Sequence, residues 1–326
     1  MSADVLPGVQ GPLHWAGFIV FVVAMLALDL FVLGGKTAHR VRTREALAWT
    51  AAWIALALAF CALLWSWADA ELGREAANAK ALEFLTGYLI EWSLSVDNIF
   101  VFIMIFSYFA VPAEYQRRVL VYGVLGAIVM RAAMILGGAL LVREFHWVLY
   151  LFGAFLVGTG VKMLIFADKK PDLAANPALM WMRRHLRFTQ EYEGERFVVT
   201  RDGVRWFTPL FLVLALIEFS DVVFAVDSIP AIFAVTTDPF IVFTSNIFAI
   251  LGLRSLYFLL ANLHGRFHLL KYGLALVLVF VGVKMLIADF YKVPIGLALG
   301  VVGIILAVSV FASLYSSRTP RRRKSS

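Results

Sequence analysis

The sequence predicts an all-α polytopic membrane protein of about nine transmembrane helices, in which spans three to five and six to eight form an inverted three-plus-three helix repeat. Three observations predict it. Of the 326 residues, 62% are hydrophobic and 16% charged, against about 25% charged in a soluble domain, and apolar runs of about 20 residues, the length that crosses a bilayer, recur from end to end. Lys and Arg alternate between rich and poor joints along the chain. The hexapeptide GVKMLI occurs twice, at Gly160–Ile165 and Gly282–Ile287.

The spans are expected at about 13–35, 46–67, 81–110, 119–141, 147–166, 207–234, 241–261, 272–288 and 294–315. The first follows MSADVLPGVQGPLHW, which has no basic n-region. The run is longer than a signal-peptide core and shows no small-residue cleavage site, so it reads as a retained span. The joints are short except for Ala167–Trp206, in which RFVVTRDGVRWF reads as a β-hairpin turning at Asp202-Gly203. The chain thus divides into 1–80 (outer tail and spans one and two), 81–166 (first repeat unit), 167–206 (cytoplasmic connection), 207–290 (second unit) and 291–326 (span nine and a basic tail).

The basic residues set the orientation. Four lie in KTAHRVRTR, two at Arg117 and Arg118, eight in the long connection, two in NLHGRFHLLK and five from Arg318 onward. The alternate joints hold only Arg74, Lys80, Arg143 and Lys292, and four more lie inside spans. By the positive-inside rule the N-terminus is outside and the C-terminus cytoplasmic. The net charge of +7 is therefore topological. The terminal RRRK suits anionic lipid, and no nucleic-acid partner is expected. The single cysteine, Cys61, excludes a disulfide framework or thiolate metal site within the chain.

Each copy of GVKMLI closes a matching unit. Upstream of Lys162 and Lys284 stand Arg131 and Arg254, and further upstream VDN at Val96–Asn98 and VDS at Val226–Ser228. Six residues before Asp97 is Glu91; six before Asp227 is Asp221, with Glu218 one turn earlier. Three spans separate the units, so they enter the membrane from opposite sides, the build of many secondary transporters, whose sites lie near the midplane.

Carboxylates at that depth cost about 3 kcal/mol or more each and mark function. The candidate ligands are Glu91, Asp97, Glu218, Asp221 and Asp227, with Asn98 and Ser228 as neutral oxygens. On a straight helix Glu91 and Asp97 lie about 120° apart. Pro230 is expected to kink or unwind the second acidic helix around Asp227 and re-aim it; a break at Asp97-Asn98 lacks such a marker. All the donors are hard oxygens, and the histidines sit at span ends or in joints, which suits Mg²⁺, Ca²⁺ or Mn²⁺. The competing reading is internal pairing with Arg131, Arg254, Lys162 and Lys284. The two arginines are expected to pair and shape the site; the two lysines are near span ends, where they equally well snorkel. Counting Asp29 as an additional candidate, six deep acids face four bases, and a divalent cation would balance the remainder. No HExxH, no deep Ser-His pair and no nucleotide motif points to an enzyme.

EWSLSVDN and EFSDVVFAVDSIPAIFAVTTDPFIVFTSNIFAILGLR resemble the TerC family of membrane proteins, and RRVLVYGVLGAIVMR and KYGLALVLVFVGVKMLIADFY resemble its Alx branch, over about Leu13 to Leu314. The resemblance implies Mn²⁺ export across the bacterial cytoplasmic membrane, with some members linked to tellurium resistance. It also implies that Glu91, Asp97, Glu218, Asp221 and Asp227 are the metal-linked acids. The expectation is therefore a Mn²⁺ exporter working by alternating access, Mn²⁺ being cargo, with no organic cofactor and with protons as candidate counter-ions through the same carboxylates. The alternatives are a transporter of another hard divalent cation such as Ca²⁺, or a structural or assembly protein of the membrane.

Overall fold

In the computed structural model, which describes residues 11–32, 43–145, 147–166, 176–262, 269–291 and 293–318, a helix stands at each expected span. These are α1 (Pro12–Val32), α2 (Thr43–Leu72), α3 (Arg74–Tyr108), α4 (Ala113–Glu144), α5 (Val148–Ile165), α7 (Pro209–Phe233), α8 and α9 (Pro239–Leu251 and Leu253–Asn262, parted only at Gly252), α10 (Leu270–Leu286) and α11 (Ile295–Arg318). Among the described residues, seven helical stretches are long and apolar enough to cross a membrane; α8 with α9 counts as one, while α10 and the apolar part of α1 are shorter. The joint at 33–42, the start of the connection at 167–175, residues 263–268, Lys292 and the tail from 319, together with the side chain of Asp29, lie outside the described residues.

Burial ranks the helices. The apolar stretch of α8–α9 is 94% buried and that of α3 is 61% buried, against 17% for α11. The middle of the bundle is therefore built on α3 and α8–α9, with α4 and α7 packed across them. Phe18, Phe60, Phe84 and Phe248 bind α1, α2, α3 and α8 together through close ring contacts. Asp238 caps α8 by accepting from the Phe240 N–H at 3.0 Å, with Pro239 in the first turn, where its missing N–H costs nothing.

α5 and α10 pack through their glycines. A Cβ on Gly160 would stand 2.8 Å from the Ala275 carbonyl oxygen, and one on Gly282 would stand 2.7 Å from that of Gly153. The contacts are reciprocal: at the offset separating the two GVKMLI copies, Gly160 corresponds to Gly282 and Gly153 to Ala275.

The connection contains α6 (Pro177–His185), capped by Asn176, and a hairpin of β1 (Val198–Arg201) with β2 (Val204–Phe207). Its register pairs Arg201 with Val204, leaving Asp202 and Gly203 as a two-residue turn with φ of 52° and 76°, the pattern Asp-Gly favours. This unit grips the α3–α4 turn. The Tyr192 hydroxyl donates to the Phe109 carbonyl at 2.8 Å, and burial pushes the phenol's pKa up, which keeps it a donor. Arg118 pairs with Glu195 at 3.3 Å.

One expectation is corrected. α7 stays helical through Pro230 to Phe233, so the backbone does not unwind at Asp227, and α3 runs unbroken through Asp97-Asn98. Pro230 stands in the last turn, where it forfeits a single bond to Val226, and the helix ends three residues later through N–H donations from Ala234 to Pro230 and from Thr236 to Ile232.

Candidate cation site

With both helices continuous, their polar residues sort by face. Glu91, Ser95 and Asn98 follow one another at i, i+4 and i+7, within an arc of about 60° on α3, and all three are buried. Across from them on α7 stand Asp221 and Ser228, seven residues apart and buried too. α4 contributes Arg131 and α8 contributes Asn246, both with no solvent exposure.

Arg131 is the centre of the cluster. Its Nη1 donates to Glu91, to Ser228 Oγ at 3.1 Å and to Asn246 Oδ1 at 3.0 Å. Its Nη2 donates to Asp221 Oδ1 at 3.4 Å, and Asn98 Nδ2 donates to the same oxygen at 3.4 Å. The Asn246 amide is oriented by its own donation to the Val242 carbonyl at 2.8 Å, which turns Oδ1 toward the guanidinium. Ser228 also hydrogen-bonds Glu91. Asn98 with Asp221 and Ser228 with Glu91 are counterpart pairs in the two acidic motifs. Four buried oxygens of the cluster have no partner: Glu91 Oε2, Asp221 Oδ2, Asn98 Oδ1 and Ser95 Oγ. Two carboxylates against one guanidinium leave one negative charge in excess.

The other predicted residues lie around this cluster. Asp97 and Asp227, half-buried, are within electrostatic reach of each other; Lys271 also bears on Asp97. The Thr159 hydroxyl bonds Asp227, with Lys162 nearby. Glu218 is half-buried beside Asp221, and its carboxylate lies against Gly126 on α4, where any Cβ would collide with it. Arg254 is buried at the start of α9, whereas Glu91 and Asp221 are bonded by Arg131, Asn98 and Ser228. Lys284 Nζ donates to the Ala234 carbonyl at 3.2 Å. Thus Glu91, Asn98, Asp221, Ser228 and Arg131 come together, while Asp97 and Asp227 stand outside that cluster, within electrostatic reach of each other. Among the described residues no three acidic, histidine or cysteine side chains form a ready metal cage. Beside Asp221 a cavity of about 10 Å³ lies among Phe102, Leu120, Gly123, Ile217 and Ile250, at the limit of room for one water.

Sequence reasoning missed Ser95 and Asn246. Ser95 carries a signal, the shared face with Glu91 and Asn98; Asn246 does not, because only the fold brings α8 to α4. It also missed a buried network at the far end of α3: Lys80 pairs with Asp238 at 3.0 Å and Glu83 at 3.4 Å, and the Thr236 hydroxyl donates to Glu83 at 2.8 Å.

The model of the Integral membrane protein TerC family matches residues 76–321. A Salmonella typhi protein named a membrane-bound redox modulator, Alx, is 56% identical over 299 residues, covering 92% of this chain and 93% of its own. The protein of that name from Escherichia coli K12 is 54% identical over 313 residues, 96% of this chain and 98% of its own. An uncharacterised membrane protein of Myxococcus xanthus is 51% identical over 315 residues, 97% of this chain and 96% of its own. No solved structure matches.

Proposed function

The chain belongs to the TerC family of integral membrane proteins, and from that premise we propose that it is a secondary transporter exporting Mn²⁺ from the bacterial cytoplasm by alternating access. The observation that carries this reading is the set of buried, unpartnered oxygens at Glu91, Ser95, Asn98 and Asp221 inside helices long enough to span a bilayer. Buried polar oxygens are normally satisfied, and hard oxygens of this kind suit Mn²⁺, Mg²⁺ or Ca²⁺. The choice of Mn²⁺ and the outward direction rest on the resemblance to the family's exporters.

Alternating access is supported by reciprocity. The glycine contacts between α5 and α10 and the Asn98–Asp221 and Ser228–Glu91 bonds are what a two-fold relation between inverted units would produce. We place the N-terminus outside and the C-terminus in the cytoplasm, from the Lys and Arg distribution, and take protons to be the counter-ions. Nothing in the reading calls on an enzyme activity or an organic cofactor.

The name that the Alx relatives carry suggests redox modulation as a second reading. Cys61 is the only cysteine and is buried, and a dithiol couple within one chain needs two; a redox effect would therefore follow from the metal content of the cell. A membrane assembly role and Ca²⁺ transport are the remaining alternatives.

The test is Mn²⁺ accumulation in cells carrying Asp97→Asn, Asp221→Asn or Asp227→Asn at wild-type membrane abundance. Export predicts that each variant loses about 10–100-fold in transport, by analogy with ligand-support losses at metal sites, and that cellular Mn²⁺ and Mn²⁺ sensitivity rise. Unchanged metal content in all three would favour the assembly role; a selective change in Ca²⁺ would reassign the cargo.

A further inference from the structure

We infer that Arg131 is the resident cation of the site, and that its guanidinium and the transported ion occupy Glu91 and Asp221 alternately. This rests on the transport reading above. Arg131 is fully buried and holds Glu91, Ser228, Asn246 and Asp221 at once. An arginine held only to stabilise the fold would be expected to use up its acceptors. Here each carboxylate keeps one oxygen that the guanidinium does not take, and Asn98 and Ser95 add two more. The arginine's own Nε–H also has no partner, so its hold is incomplete on both sides.

Charge disfavours holding both occupants at the fully buried Glu91 and Asp221, with half-buried Glu218 at the margin of that pair. Glu91, Asp221 and Arg131 together leave one negative charge. Adding a divalent cation with Arg131 seated would turn a buried excess of one negative charge into one positive; adding it as Arg131 withdraws leaves the site neutral. An uncompensated buried charge is strongly unfavourable. The four unpartnered oxygens are the first contacts of the arriving ion, and the seated arginine neutralises one of the two acids when the ion has left, leaving the other to a returning proton. The empty carrier can then return through its cycle without two bare buried carboxylates.

The experiment uses the full chain in nanodiscs and proteoliposomes, with Mn²⁺ alone as the probe. Arg131→Gln is expected to bind Mn²⁺ about tenfold more tightly, because the fraction of sites blocked by the guanidinium is removed. It should retain Mn²⁺/Mn²⁺ exchange and lose net efflux, since only net efflux needs the empty carrier to return. Arg131→Lys, which keeps the charge and loses the fork, should keep net efflux with a smaller gain in affinity. A folded Arg131→Gln whose exchange and net efflux fall together, or whose affinity equals or is below that of the wild type, overturns the inference. If Arg131→Gln does not fold, the Lys variant decides: unchanged or weaker Mn²⁺ affinity overturns it. Absence of Mn²⁺ binding by the wild-type protein would sink the transport reading and this inference together, whereas wild-type binding with failed variant predictions sinks this inference alone.

Discussion

Asn246 supports the site without carrying charge. Its Oδ1 accepts from Arg131 at 3.0 Å, and its amide is fixed by the Val242 carbonyl. Asn246→Leu is close in volume and removes the acceptor from a fully buried guanidinium. The expected loss is about 1–3 kcal/mol, read as a lower melting temperature in detergent and, through a looser Arg131, as altered Mn²⁺ affinity. An unchanged melting temperature would show that Arg131 does not depend on this acceptor. The acids themselves are legible in the sequence, because a carboxylate inside an apolar run stands out at once. Asparagine and serine do not stand out in such a run: each is tolerated in a helix, and only the distance to a partner on another helix distinguishes Asn246 from a polar residue bonded to its own backbone, such as Ser245. Ser95 is the exception, since its place on the Glu91–Asn98 face follows from helical periodicity alone.

At the scale of elements, α5 and α10 depend on backbone approaching backbone. The glycine of each GVKMLI copy faces a carbonyl on the other helix. A methyl group there must push the helices apart rather than turn a side chain aside. Gly160→Ala and Gly282→Ala should each cost about 1–3 kcal/mol, the usual penalty for overpacking, whereas Gly158→Ala, which meets nothing within 4 Å, should be neutral or slightly stabilising through its better helix propensity. Thermal unfolding of the three variants in one detergent checks this; equal melting temperatures would remove the close-packing argument. The repeated hexapeptide is visible in the sequence, and its contact partner is not, because a shared motif does not say whether its copies touch. The expected helix break fails for a local reason. A proline in a span predicts an interruption at Asp227, but the helix runs only three residues beyond Pro230, so one lost bond is absorbed by the terminating turn. The acids are consequently sorted by helix face, Glu91 with Asn98 and Asp97 apart from them, instead of being gathered by unwound backbone.

Across the whole molecule, the cluster around Arg131 lies between two fastened ends. At one end the Tyr192 hydroxyl and the Arg118–Glu195 pair hold the connection onto the α3–α4 turn. At the other, Lys80, Glu83, Thr236 and Asp238 tie the start of α3 to the α7–α8 turn. The α3–α4 and α7–α8 turns are thus fastened at opposite ends of α3, by different chemistry: a hydroxyl and a partly exposed ion pair at one and buried ion pairs at the other. On the transport reading proposed above, which end faces the cytoplasm decides which fastening opens to admit the ion and which to release it. The orientation proposed from the Lys and Arg distribution puts the Tyr192 end inside. Cys61 is buried, so the native chain gives a low background for thiol labelling. Glu75 and Thr200 are exposed at opposite ends, the first beside the start of α3 and the second in the hairpin. With a membrane-impermeant maleimide, Glu75→Cys should react in spheroplasts, while Thr200→Cys should react only after the membrane is permeabilised. The reverse pattern would invert the molecule. The ion-pair network at Lys80 would then face the cytoplasm as the entrance and the Tyr192 contact would guard the exit, and the positive-inside count would have failed for this chain.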